Sequence, residues 1–115
     1  MKKNSLKLFF YKDSQLFKKV LIREEFSLMV GSNSNCDVIV SNKRVSRNHC
    51  QIISSNSENL KLIDLNSTNG TFLNGIKLKP GVPYNLNLKD QVQLAGVSGI
   101  LISIGSENTQ SRDLE

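Results

Sequence analysis

An all-β sandwich is the fold class this sequence predicts, on three observations: short runs in which apolar and polar residues alternate, turn signals spaced between them, and no helical period. A strand sends successive side chains to opposite faces, so a half-buried strand reads apolar, polar, apolar. The pattern recurs often enough to predict two mainly antiparallel sheets of about 10–11 short strands.

In chain order the runs are Leu6 to Tyr11, Leu16 to Ile22, Phe26 to Val30, Val38 to Val40, His49 to Ile53, Leu60 to Leu65, Thr71 to Leu73, Tyr84 to Leu88, Gln91 to Leu94 and Gly99 to Ile104. Between them lie Asp13-Ser14, Gly31 to Asn35, Asn56 to Asn59, Asn66 to Gly70, Asn74-Gly75 and Pro80-Gly81, each rich in residues that turn the backbone. Asn74-Gly75, flanked by Phe72-Leu73 and Ile76, has the composition of a two-residue hairpin with positive φ at both centres.

A chain of 115 residues suits one domain with a modest core, expected over 1–104. From Gly105 the sequence turns polar and loses its period, which predicts a disordered tail over 105–115. Leu114-Glu115 has the form of a cloning scar, which would make the chain a fragment.

The 38% hydrophobic content fits a soluble globular domain, and the net charge of +5 favours acidic partners. Part of that surplus sits in Lys2 and Lys3. Nucleic-acid binding would rest on charge alone, because aromatics are few and no basic-aromatic stripe offers stacking platforms. Lys7 interrupts the apolar run that would otherwise imitate a secretory signal, and nothing approaches the roughly 20 apolar residues of a membrane span. A cytoplasmic, monomeric domain is expected. Cys36 and Cys50 form no CxxC pair and His49 is the one histidine, so neither a metal nor a cofactor is expected. Both cysteines read as small buried hydrophobes.

Two polar clusters carry the chemistry. Val45-Ser46-Arg47-Asn48-His49-Cys50 holds a hydroxyl, an imidazole and a thiol, the ingredients of a nucleophile and its base. If His49 and Cys50 both open a strand, however, they face opposite ways and cannot pair. Ser46 and His49 lack the Gly-x-Ser-x-Gly elbow and an evident orienting acid, so an enzyme is not expected. The second cluster, Asp64-Leu65-Asn66-Ser67-Thr68-Asn69-Gly70-Thr71, is a loop dense in hydroxyls and amides that suits an anion or an extended peptide backbone. Loops gather at one end of a sandwich, so Ser46 and Arg47 are expected to face Thr68 and Asn69 and to offer hydroxyls, an amide and a guanidinium to one phosphate.

These residues resemble a forkhead-associated domain, the small β-sandwich that recognises phosphothreonine in a partner protein. The resemblance spans about Phe26 to Leu94 through Gly31, Cys36-Asp37, Val45-Ser46-Arg47-x-His49 and Asp64-Leu65-x-Ser67-Thr68-Asn69-Gly70-Thr71-Phe72-x-Asn74-Gly75. It implies that Ser46 donates to the phosphate, that Arg47 adds a charged contact, that Thr68 borders the pocket and that Asn69 holds the ligand main chain. Lys43, Arg44 and Ser67 are further candidates at the rim. Gly31, His49, Gly70 and Asn74 match positions that support the loops.

In one respect the sequence departs from the family, in which the first glycine is followed by an arginine that grips the phosphate. Here Ser32 follows Gly31. Loss of such a contact costs about 1.5–3 kcal/mol unless Arg47, with Arg44 or Lys43, takes its place. The expected function is therefore phosphothreonine-dependent protein interaction in signalling. The alternative is a phosphate-independent assembly domain of the same fold, within a larger protein such as a bacterial secretion component.

Overall fold

Alternation is visible directly in the burial of Asn59–Asp64, where Leu60, Leu62 and Asp64 are buried while Asn59 is exposed. The computed structural model describes residues 5–22, 25–56, 59–97 and 99–107. Among them are β1 (Ser5–Lys12), β2 (Gln15–Leu21), β3 (Phe26–Gly31), β4 (Val38–Ile39), β5 (Cys50–Asn56), β6 (Asn59–Asp64), β7 (Thr71–Leu73), β8 (Ile76–Lys77), β9 (Tyr84–Leu86), β10 (Gln91–Leu94) and β11 (Ile100–Glu107). No helix occurs in the described residues.

One sheet has the order β2-β1-β11-β10-β7-β8 and the other β4-β3-β5-β6-β9. All the sheet pairings are antiparallel except β3 with β4. Leu8, Phe10, Val92, Leu94, Ile102 and Ile104 of the first sheet pack with Val30, Cys50, Ile52, Leu60, Leu62 and Leu86 of the second. Full burial of each larger apolar side chain contributes about 1.5–3 kcal/mol, so this sandwich interior is what fixes the loops at its ends.

The expected runs all appear, most with boundaries moved by a residue or two and β5 running three residues beyond Ile53, to Asn56. Two further differences stand out. β8, exposed at both residues, carries no alternation and exists because the Asn74-Gly75 turn folds it onto β7. Asn74 and Gly75 have φ of 51° and 87°, as the two-residue hairpin requires. The second difference corrects the expected tail: 105–107 continue β11, with Gly105, Ser106 and Glu107 opposite Lys7, Leu6 and Ser5. Strand pairing uses backbone groups, so a polar stretch can extend a strand when its neighbour is long enough. Residues 108–115 lie outside the described residues.

Several connections converge at one end. They are the β1–β2 turn (13–14), the β3–β4 loop (32–37), the β4–β5 loop (40–49), the β6–β7 loop (65–70) and the described part of the β10–β11 loop (95–97 and 99). Ala95 N–H donates to the Gly70 carbonyl at 2.8 Å and Asp13 N–H to the Gly99 carbonyl at 2.8 Å, joining these loops along that end of the first sheet.

Candidate functional site

The β4–β5 and β6–β7 loops are tied through His49, which is fully buried. Its Nδ1 accepts the Ser46 backbone N–H at 3.0 Å, and its Nε2–H donates to the Gly70 carbonyl at 2.8 Å. An acceptor on one side and a carbonyl on the other assign the neutral ring with its proton on Nε2. Burial holds the imidazole pKa below its ordinary value, while the Gly70 carbonyl and the Asp64 charge act in the opposite sense. Both ring nitrogens are engaged, and Ser46 meets the ring with its N–H rather than its hydroxyl. The contact is therefore not that of a nucleophile with its base. Nor does His49 open the strand: β5 begins at Cys50, and both residues are fully buried, His49 between loops and Cys50 in the core. Burial also pushes the Cys50 thiol pKa upward, away from the reactive thiolate.

Asp64, at the end of β6, organises the second loop. Its Oδ1 accepts the hydroxyls of Ser67 and Thr71, each at 2.6 Å, and its Oδ2 accepts the Ser67 N–H at 3.1 Å. The Ser67 hydroxyl in turn accepts the Gly70 N–H at 3.0 Å. Asn66, at φ 58°, and Gly70, at φ 91°, supply the left-handed backbone that curls the loop around this buried carboxylate. Ser67 is thereby a loop brace rather than a rim group.

The two loops then touch directly. Thr68 N–H donates to the Ser46 hydroxyl oxygen at 3.0 Å, and Asn69 Nδ2–H donates to the Arg44 carbonyl at 2.9 Å. Ser46 meets Thr68, and Arg44 rather than the expected Arg47 meets Asn69, from positions more than twenty residues apart. Having accepted from Thr68, the Ser46 hydroxyl keeps its own hydrogen to give.

Ser32 joins the same region through its backbone, with its N–H on the Ser46 carbonyl at 3.0 Å and the Asn33 N–H on the Arg47 carbonyl at 3.1 Å. Cys36 Sγ also lies 3.1 Å from the Arg47 carbonyl. Gly31 lies so close that an added Cβ would collide with the Arg47 carbonyl oxygen and come within 2.9 Å of that of Ser46. Glycine at 31 is therefore a close-approach requirement.

The cations divide. Arg47 and Lys43 are exposed, and their side chains make no hydrogen bond or ion pair among the described residues. Arg44 is held more firmly: its N–H donates to Asn42 Oδ1 at 2.8 Å, and its Nε lies 3.4 Å from the Ala95 carbonyl. Asn74 stands apart, with its amide bonded to Asp90 Oδ1 and the Gln91 N–H, each at 3.0 Å. It braces the β7–β8 turn against the start of β10, not the two loops of the site.

Sequence reasoning gives Asp64 no organising role in its loop and reads Cys36 as a simple hydrophobe. The Asp64-x-x-Ser67 spacing is that of a side chain capping its own turn and was the available signal. Nothing local marks Cys36.

A sandwich that presents a hydroxyl, an amide and unpaired cations from cross-tied loops has the architecture of a recognition module. The FHA domain family model matches residues 28–95, and the chain belongs to that family, whose domains are interaction modules. Nuclear inhibitor of protein phosphatase 1 from Homo sapiens is 34% identical over 70% of this chain and 24% of its own length. The PPP1R8 homologue from Arabidopsis thaliana, a regulatory inhibitor subunit of protein phosphatase 1, is 26% identical over 88% of this chain and 28% of its own length. The chain thus spans about a quarter of these relatives. Among solved structures, the FHA domain of CT664 from Chlamydia trachomatis aligns with a TM-score of 0.78 at 22% identity, over 90% of this chain and 99% of its own. The N-terminal FHA domain of Rad53p from S. cerevisiae, solved with a phosphothreonine peptide, aligns with a TM-score of 0.71 at 26% identity, over 96% and 99%.

Proposed function

We propose that this domain binds a phosphothreonine-containing segment of a partner protein, with Ser46 and Arg47 on the phosphate, Thr68 bordering it and Asn69 on the partner main chain. The observation that carries this reading is the bond from Thr68 N–H to the Ser46 hydroxyl oxygen. It fixes the hydroxyl and leaves its hydrogen for a phosphate oxygen, and a charge-assisted bond of that kind is among the stronger ones. Arg47, exposed and unpaired among the described residues, follows in the chain and supplies the cation. The 26% identity to a domain solved with a phosphothreonine peptide supports the same ligand class. Lys43 fits a supporting role at the rim, while Arg44 contributes mainly its carbonyl.

The test is a calorimetric titration with matched peptides carrying phosphothreonine, phosphoserine or threonine. Binding confined to the phosphothreonine form is the expected result. Equal binding of all three would overturn phosphate recognition in favour of a second reading, a phosphate-independent assembly domain. Ser32 favours that second reading, since it stands where the family carries a phosphate-gripping arginine.

A further inference from the structure

β2 and β4 stand at the ends of their sheets, and among the described residues neither has a strand on its outer edge. Between them runs a groove of about 420 Å³, closed at one side where Lys12 Nζ donates to the Ser41 carbonyl at 2.9 Å. Its lining is mixed: Lys12, Asp13, Gln15 and Ser41 are polar, while Leu16 and Phe17 from β2 and Ile39 from β4 supply apolar surface, exposed by 45%, 42% and 45%.

A β-bulge makes the first wall. β2 pairs Lys18 with Phe10 and Leu16 with Tyr11, so Phe17 is the extra residue without a partner. Strict alternation would send Leu16 and Phe17 to opposite faces, whereas the bulge lets both line the groove. Bulges re-aim side chains in this way, often where a strand edge has a task. Phe17 is further oriented by the Phe10 ring, with centroids 6.4 Å apart and planes at 51°.

Charge selects the occupant. Lys18 and Lys19 are exposed on β2 just beyond Phe17, and Lys12 lines the groove, against Asp13 as the acid in its wall. A second copy of this chain would bring its own Lys18 and Lys19 to the same edge, and lysines on an edge strand oppose such self-pairing. An extended peptide with acidic side chains would meet the lysines favourably, and its apolar side chains would fill the space between Leu16, Phe17 and Ile39. Strand addition would satisfy the open backbone edge at the same time.

We propose that the groove between β2 and β4 is a second docking site, for an extended partner segment that combines acidic with apolar side chains. It is separate from the Ser46–Asn69 site and needs no phosphate. The structure places it on the same end of the sandwich, since the β4–β5 loop runs from Val40 in the groove wall to Ser46.

The experiment selects short unphosphorylated peptides from a random displayed library on the full chain and remeasures the selected peptides, as synthetic probes, on variants. Acidic-apolar sequences should emerge, with amide chemical shifts moving at Leu16, Phe17 and Ile39. Ile39→Glu should weaken them by about 30-fold, the scale of losing one anchor residue. Phe17→Ser, on the opposite wall, checks the result independently, and the phosphothreonine titration reports whether each variant is folded. Arg47→Ala should leave these peptides unaffected while weakening the phosphothreonine peptide, so failure of one site is distinguishable from failure of the other. Enrichment of basic peptides, no enrichment at all, indifference to both groove variants, or self-association abolished by Phe17→Ser would each overturn the proposal.

Discussion

His49 holds the backbone N–H of Ser46 at 3.0 Å from within a fully buried ring, so the residue that presents the candidate phosphate donor is positioned by one that never reaches solvent. Replacement of His49 by alanine leaves the Ser46 N–H without its buried acceptor, leaves the Gly70 carbonyl with the Ala95 N–H alone, and opens a cavity. A loss of about 2–4 kcal/mol is expected, read as a lower urea midpoint, together with weaker phosphopeptide binding.

The same ring makes stability depend on pH with a defined sign. Its folded pKa is depressed below the ordinary 6.5, so the unfolded chain takes up the proton first as pH falls. The stabilising effect is complete above about pH 6.5 and declines as pH drops below it until the folded pKa is reached, with a slope of at most about 1.4 kcal/mol per pH unit. Since His49 is the chain's one histidine, the difference between the urea midpoints of wild type and His49→Gln, followed from about pH 7.5 to 5, isolates it.

Arg47→Ala should separate binding from stability. The side chain is exposed and bonded to nothing described, so stability, read by urea unfolding, should change by no more than an ordinary surface substitution, about ±0.5 kcal/mol. Phosphothreonine-peptide affinity should fall by about 10- to 150-fold, the worth of a charge-assisted contact. Ser32→Arg should move affinity the other way, and calorimetry on the two variants and their combination measures how far Arg47 stands in for the missing arginine.

Asp64→Ala removes the acceptor for the Ser67 and Thr71 hydroxyls and the Ser67 N–H. Leaving buried donors without the charged acceptor that they share costs about 1.5–3 kcal/mol or more. Hydrogen exchange should show the amides of Ser67 and Gly70 losing protection.

Gly31→Ala tests the close approach. A methyl group there meets the carbonyl oxygens of Arg47 and Ser46, which are backbone atoms and cannot rotate away. Overpacking of this kind costs about 1–3 kcal/mol. Because the collision is with the main chain of the site, thermal unfolding and peptide affinity should suffer together.

The sequence was most legible where alternation governs, as in Leu60 and Leu62 or Val92 and Leu94, since burial of one strand face is written as period two. It misleads at Gly105 to Glu107, where a polar, aperiodic stretch predicts a disordered tail but pairing to β1 depends on backbone and not on side chains. The approach of the two loops could be anticipated from loops gathering at one end, and it is seen in the bonds from Thr68 to Ser46 and from Asn69 to Arg44. The division among cations was illegible: Lys43, Arg44 and Arg47 look alike in sequence, and besides the local Asn42 it is the distant Ala95 and Asn69 that draw Arg44 into the framework. The buried position of His49 likewise needs Gly70, twenty-one residues away.

The bonds from Thr68 to Ser46, from Asn69 to Arg44 and through His49 to Gly70 join the two loops before any ligand arrives. Their disorder is surrendered when the chain folds, not when a partner docks. An arriving peptide therefore has chiefly its own freedom to lose, and the domain meets it as a preset mould rather than a closing hand.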